Sequence, residues 1–393
     1  MERFRRSKLP DVGTTIFTVM SRRARELGAL NLGQGFPDYD IDPRLTELVA
    51  AAMAEGHNQY APMEGVIELR ERIAHKLQAS YGVSVDPEAQ ITVTCGATEA
   101  IYSGIQAVVG PGDEAIAFDP AYDSYEPAVR LAGGRCIRLP LLPPRFRYDW
   151  DRVRATINER TRLILFNTPH NPACTIATRD DLNVLADVIR DRDILVMSDE
   201  VYEHVLYDGN THASVLTQPE LAHKSFAVFS FGKTLHATGL RVGYAVASPL
   251  LTRELRKVHQ FNTFSIAHPL QQAIARYLAE KPERWRSLPA FFQAKRDRLI
   301  RGLAPSGLQL PPAQGTFFQL IDFGELFPPD DVAFAERLLT EAGVATIPLS
   351  PFYERPPALH VVRVCIAKQD RTLDSAVDQI NAFTARLGKA GGR

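Results

Sequence analysis

Lys233 follows an apolar run, Phe226 to Phe229, with Ser230 three residues before it and Arg241 eight residues after it. An amine delivered into a cleft beside a cation and away from bulk water loses basicity, and becomes a nucleophile near neutral pH. A hydroxyl with an arginine is a common clamp for phosphate. Nucleophilic lysine and phosphate clamp together suit an aldehyde cofactor that carries a phosphate, which is pyridoxal phosphate. The same residues also read as an ordinary surface turn, so the rest of the chain must decide. A P-loop is excluded, because no glycine stands five residues before Gly232-Lys233-Thr234.

The elements that would position this group alternate short apolar strands with helical patterns, the mark of a largely parallel α/β sheet. Strands are expected at Ile91 to Cys95, Glu114 to Phe118, Leu163 to Phe166, Ile194 to Met197 and Phe226 to Phe229. Val242 to Ala247 follows the last of these too soon for a helical crossover and is expected to run antiparallel. Helices are expected at Thr98 to Val109, Asp180 to Asp191, Leu250 to Val258 and Ala273 to Leu278. Beyond about residue 285 the pattern changes to helix, strand, helix, strand and final helix, with strands at Thr316 to Ile321 and Val361 to Ile366. The expected division is a large domain over 45–283 and a smaller α+β domain built from 1–44 and 284–393. The first 40 residues or so have weak periodicity.

Ligands of open α/β sheets bind beyond the carboxyl ends of the strands, and the unusual polar residues of this chain fall there. Gly96-Ala97-Thr98 opens a helix, whose N–H groups and dipole favour a phosphate; a plain strand-to-helix turn reads equally well. Asn167-Thr-Pro-His-Asn171-Pro172 is a loop stiffened by two prolines that can aim an amide, or a rigid turn with capping asparagines. Asp199 could stabilise a protonated pyridine nitrogen, or serve as a helix cap. Tyr202 could hydrogen-bond a phenolic oxygen, and Tyr122 could stack on an aromatic ring; either could instead be packing. The joint placement at successive strand ends, facing Ser230, Lys233 and Arg241, favours the cofactor reading.

Composition sets the bounds. The 393 residues are 45% hydrophobic and 23% charged, ordinary for a globular protein of one large and one smaller domain. With 45 basic and 46 acidic residues the net charge is -1, which gives no reason to expect nucleic acid or an anionic membrane as partner. No apolar run approaches the ~20 residues needed to span a bilayer. The basic residues near Met1 are followed by no apolar stretch, so a secretory signal is not expected. Cys95, Cys136, Cys174 and Cys365 are scattered, so neither a disulfide framework nor a metal site is expected, and a cytoplasmic location is.

Across nearly its whole length, from Asn31-Leu-Gly-Gln-Gly35-Phe-Pro-Asp38 to Val361-Val-Arg363-Val-Cys365, the chain resembles the class I/II aminotransferases, pyridoxal-phosphate enzymes of fold type I. The resemblance implies a mostly parallel seven-stranded sheet in the large domain. It implies Lys233 as the lysine that carries the cofactor, Asp199 at the pyridine nitrogen, Tyr202 and Asn171 at the ring oxygen, and Tyr122 on the ring face. Gly96, Ala97, Thr98, Ser230 and Arg241 would hold the phosphate. Arg363 would pair with the substrate α-carboxylate, for which Gly35 leaves room. Tyr60 would reach the phosphate of a neighbouring subunit, which implies a homodimer with shared sites.

Gln34-Gly-Phe-Pro-Asp38, Asp199-Glu-Val-Tyr-Glu-His204 and Ile347-Pro-Leu-Ser350 are similar to the branch of methionine and kynurenine/glutamine aminotransferases. The branch implies an apolar amino donor, methionine first and aromatic or kynurenine/glutamine types beside it, with a 2-oxo acid as acceptor. Phe264 and Ser265 would line the side-chain pocket, from either subunit, and Ile16 and Phe17 would lie on the segment that closes over the substrate. Three departures stand out. Ala173-Cys174 replaces a small residue and glycine, Leu240 replaces a tryptophan, and Ile16 replaces an aromatic found in some relatives, which counts against large aromatic substrates. A pyridoxal-phosphate β-lyase would need the same lysine and aspartate, so motifs alone separate it poorly. A non-enzymatic ligand-sensing regulator is disfavoured by the balanced charge. A nicotinamide enzyme is excluded, since Gly33-Gln-Gly35 leads into Phe36-Pro-Asp38 and not into a third glycine and a helix.

Overall fold

The computed structural model describes residues 7–327 and 330–390. Seven strands form the central sheet: β1 (Ile91–Thr94), β2 (Glu114–Asp119), β3 (Arg135–Pro140), β4 (Thr161–Asn167), β5 (Leu195–Asp199), β6 (Ser225–Ser230) and β7 (Gly243–Ala247). Their order is β1-β7-β6-β5-β4-β2-β3. Every pairing is parallel except those of β7, which runs antiparallel to both β1 and β6 as its short connection required. The fold is the α/β type I fold of the expectation.

Strands β2 and β6 are buried at every position, which explains their nearly unbroken apolar sequences. One face of the sheet is covered by helices Gly96–Val108 and Pro249–Asn262, whose Ile101, Ile105, Leu251 and Leu255 pack on Leu163, Met197, Phe226 and Ala245. Gly104 lies so close to the sheet that a Cβ there would meet the Met197 Cε at 2.4 Å. Burial of each large side chain in such a layer contributes about 1.5–3 kcal/mol.

Strand β3 escaped the sequence reading because Arg135, Arg138 and the half-exposed positions of an edge strand break up its apolar pattern. Helices Pro43–Ala54 and Ile67–Tyr81 were also not foreseen, and Ile16–Glu26 lies in the segment of weak periodicity. In the carboxy-terminal part, Phe318–Asp322, Ile347–Pro348 and Val361–Cys365 form an antiparallel sheet with Val361–Cys365 in the middle. The strand expected from Thr316 begins only at Phe318, because Thr316 has φ +77°, outside strand geometry. Leu30–Asn31 pairs in parallel with Val344–Ala345 as a separate two-stranded sheet, and the Cys365 N–H donates to the Leu32 carbonyl at 2.6 Å, which ties the amino-terminal segment to the three-stranded sheet. Helix Asp370–Ala390 closes the chain.

Candidate active site

The parallel register sets the carboxyl ends of the central strands side by side. Asn167 at the end of β4 is level with Asp199 at the end of β5, and Ser230 ends β6 next to them. A cavity of about 140 Å³ opens there, lined among others by Ala97, Thr98, Tyr122, Asn171, Asp199, Tyr202, Ser230, Lys233 and Arg241. The structure therefore brings together the strand-end residues singled out from sequence, with Gly96 directly behind them.

Lys233 sits on the short helix Phe231–Thr234 after β6, and its amine lies 5.3 Å from the centre of the Tyr202 ring and 3.3 Å from the Gly35 carbonyl. Burial draws its pKa down to about 8, with Arg241 and Arg363 adding to the effect and Cys365 and Asp199 opposing it. Asp199 is buried, and burial pushes its carboxyl up to about 6. Against that burial act the Tyr125 hydroxyl, donating to Oδ2 at 2.6 Å, the Val201 N–H, and Lys233. Asn167 Nδ2 donates to the Asp199 carbonyl at 2.8 Å while its Oδ1 accepts from the Asn171 N–H at 2.8 Å, which locks the two strand ends together. Tyr122 is pushed up to about 12 by burial and by the nearby Asp123 and Asp199 carboxylates.

The anion cradle follows from two glycines. Gly96 has φ +70°, and a Cβ on it would fall 2.6 Å from an Arg241 Nη atom. A Cβ on Gly243 would meet the backbone of Phe229, Ala97 and Gly96 at 2.7–2.8 Å. Only without these side chains does the Arg241 guanidinium lie against the first turn of helix Gly96–Val108, whose leading N–H groups have no partner within the helix. Arg241 Nη1 donates to the Thr238 carbonyl at 3.2 Å, and its Nη2 is the atom nearest to Gly96. This donor set fits a phosphate, and the cavity between it and Asp199 fits an aromatic ring.

Arg363 lies in the middle strand of the carboxy-terminal sheet and is fully buried. Its guanidinium donates to Asn171 Oδ1 and, at 3.1 Å, to the Gly33 carbonyl, while its Nε is buried without a partner. The Phe318 ring stacks on it at 3.7 Å, with Phe17 at 5.0 Å and Phe352 at 5.7 Å. Burial lowers its pKa but leaves it a cation. A buried cation with an orphan donor and an aromatic surround is a site for a carboxylate. A Cβ on Gly35 would strike the Phe318 ring at 2.5 Å, so its missing side chain makes room for Phe318.

Tyr60, Phe264, Ser265 and Ile16, all expected at the site, do not line the cavity within one chain. Tyr60 is 83% exposed and packs edge-on against the Phe264 ring at 5.2 Å. Ser265 donates to the Ala61 carbonyl at 2.9 Å beside them. Ile16 is half-buried at the start of helix Ile16–Glu26, next to the Phe17 that reaches Arg363. Sequence reasoning assigned no role to Tyr125, Asn167 or Phe318. Tyr125 stands three residues after Tyr122, and Asn167 opens the two-proline motif, so spacing gave a faint signal for both.

A strand-end lysine, a buried carboxylate, a set of anion donors and, through Asn171, a buried arginine on a second sheet thus meet at the strand ends. The pattern of the family "Aminotransferase class I and II" matches residues 28–380, and the chain belongs to that family. It is an aminotransferase enzyme. It is similar to the methionine aminotransferase of Escherichia coli, at 49% identity over 95% of this chain and 97% of that one. It is also similar to mouse kynurenine–oxoglutarate transaminase 3, at 31% identity over 96% of this chain and 90% of that one. Among solved structures, that of an E. coli protein described as having a methionine aminotransferase function superposes with a TM-score of 0.94, at 47% identity, covering 97% of this chain and all of that one.

Proposed function

We propose that the cavity holds pyridoxal 5′-phosphate and that the enzyme moves the amino group of an apolar amino acid, methionine first, to a 2-oxo acid. The observation that carries this reading is Lys233. Burial draws its amine down to about 8, and it shares the cavity at the strand ends with the buried carboxylate of Asp199 and with Arg241. When bound, the cofactor would supply an aldehyde for amines and a ring that takes up the charge left at the substrate Cα. Asp199 would pair with the protonated ring nitrogen, Tyr202 and Asn171 with the ring oxygen, and Tyr122 with the ring face. Ala97, Thr98, Ser230 and Arg241 would hold the phosphate. Lys233, displaced by the amino acid, would act as the base that moves the Cα proton. Arg363 and Asn171 would orient the α-carboxylate, with Phe17, Phe318 and Phe352 excluding water.

Methionine is supported by the 49% relative and by the apolar surround of Arg363. The exposed Tyr60, Phe261 and Phe264 support a homodimer in which a second subunit covers this face and brings Tyr60, Phe264 and Ser265 to its neighbour's site. The same reading divides the chain into a cofactor domain over 45–283 and a small domain from both ends. Four free cysteines support a reducing, cytoplasmic setting. Lys233→Ala tests the core of the proposal: the visible absorbance of the lysine-linked cofactor and turnover should both vanish, and a variant retaining both would refute it. A panel of amino donors, each followed through one half-reaction, tests the substrate. Methionine should lead; pyruvate and ammonia released from a cysteine conjugate without any keto acid would mark a β-lyase instead.

A further inference from the structure

Arg138 stands on the edge strand β3, where an arginine ordinarily keeps its guanidinium in water, yet its side chain is only 10% exposed. Its donors are divided among three separate segments. Nε donates to Asp119 Oδ1 at 2.6 Å, at the end of the neighbouring strand β2. Nη1 donates to Glu126 Oε2 at 2.8 Å, on helix Tyr125–Leu131. Nη2 donates to the Phe352 carbonyl at 2.8 Å, 214 residues further along the chain. The same carbonyl accepts a second bond from the Ala121 N–H at 2.9 Å, and the Glu354 N–H donates to Asp119 Oδ2 at 2.9 Å. The central sheet thus holds the backbone of both Phe352 and Glu354.

The other end of the turn Ser350–Phe352 is held from the opposite side. The Ser350 N–H donates to Asp331 Oδ2 at 2.6 Å and its hydroxyl to Asp331 Oδ1 at 2.7 Å. What this turn carries into the site is the buried Phe352 ring, 5.7 Å from the Arg363 guanidinium carbon and 5.4 Å from the Phe17 ring. An apolar ring there keeps water away from a carboxylate paired with the guanidinium, and such a pair strengthens as the local dielectric falls.

We propose that Arg138, with Asp119, is a positioning residue that clamps the Phe352 turn to the central sheet and so sets the affinity of Arg363 for the substrate carboxylate. The proposal rests on the reading of Arg363 as the carboxylate anchor. Arg138 acts through Phe352 and is not itself a catalytic residue. Burial pushes the Asp119 carboxyl up and Arg138 opposes the shift, so removing the cation outright would leave a buried charge unpaired. Lysine keeps that charge in place but lacks the planar fork that serves Asp119 and the Phe352 carbonyl together. The exchange to lysine therefore separates the clamp from the ion pair.

The test uses the holoenzyme with Arg138→Lys, Phe352→Ala, these two combined, Asp119→Asn, Glu126→Gln and Arg363→Ala. Three quantities are measured: the split of kcat and KM for methionine, the Kd of hexanoate as a carboxylate without an amine, and the half-reaction rate with 3-methylthiopropylamine, an amine without a carboxylate. Arg138→Lys should raise KM and hexanoate Kd about threefold to tenfold, the scale for residues that act through a shared contact. Its kcat and amine rate should stay within about twofold. With Phe352→Ala already in place, Arg138→Lys should add less than about twofold to the loss. Asp119→Asn keeps one acceptor for Arg138 and loses the one that faces the Glu354 N–H; it should act in the same direction, and it decides the matter should the lysine variant not fold. Glu126→Gln should behave as the unsubstituted enzyme, and a loss equal to that of Arg138→Lys would overturn the role of the Phe352 bond. Unchanged KM and Kd in Arg138→Lys would overturn the clamp. So would a loss fully additive with Phe352→Ala, or an equal loss with the amine. Arg363→Ala with unchanged hexanoate affinity would overturn the carboxylate reading and this proposal with it, whereas a loss there beside an unaltered Arg138→Lys would overturn the clamp alone.

Discussion

Replacing Asp199 by asparagine should make the cofactor-free protein more stable at neutral pH while removing turnover. Asp199 is buried, and its carboxyl ionises in the folded chain at about 6, against ~3.9 for an unperturbed aspartate. Between those two values the unfolded chain has released a proton that the folded chain still holds, so stability falls as pH rises through this window. Two pKa units at ~1.4 kcal/mol each give a penalty of about 3 kcal/mol at pH 7, shrinking to about 1 kcal/mol at pH 4.5 and to almost nothing at pH 3.5. Asparagine is isosteric, can still accept from the Tyr125 hydroxyl that now donates to Oδ2 at 2.6 Å, and carries no charge to bury. Urea or guanidinium unfolding of the cofactor-free protein at pH 7, 4.5 and 3.5 reads the difference directly. A variant less stable than the parent at pH 7, or a gain that does not shrink with falling pH, would refute the electrostatic account. The gain should come with loss of turnover, since the same buried charge is what would hold a protonated ring nitrogen. Stability is given up at a site where function needs an ion.

Arg363→Ala should raise the KM for methionine about tenfold to a hundredfold with cofactor still bound, the scale of losing hydrogen bonds to a charged group; an unchanged KM would remove its carboxylate role. Uptake of pyridoxal phosphate by the cofactor-free protein should quicken with pH and level off near 8, where the Lys233 amine becomes neutral. A rate still climbing toward pH 10 would show an ordinary lysine. Lys76 and Glu203 form a fully buried pair at 2.5 Å, far from solvent. Lys76→Met alone should destabilise by about 3–5 kcal/mol, by leaving the Glu203 charge unpaired. Adding Glu203→Gln should recover more than half of that loss in denaturant unfolding, and a double variant no better than the single would refute this reading.

The sequence by itself determined the chemistry and the sheet that displays it. Apolar runs with polar residues at their ends are a local signal, and Asp199, Ser230, Lys233 and Thr98 could be read from it because each sits within a few residues of a buried strand. The antiparallel β7 was legible from the length of its connection. Strand β3 was not, because an edge strand carries arginines that blur the period. Only the tertiary structure decided what each group feels. The low pKa of Lys233 and the high one of Asp199 come chiefly from burial, which depends on chain segments distant in sequence. Gly35 spares room for a ring 283 residues away, that of Phe318. Likewise Cys174, a departure from pattern in the sequence, takes its left-handed φ of +59° with its carbonyl held by the remote Gln314 N–H, a pairing that exists only in the folded chain. Motifs record which atoms a site requires, whereas dielectric, strain and close packing arise between segments and exist only in the folded chain.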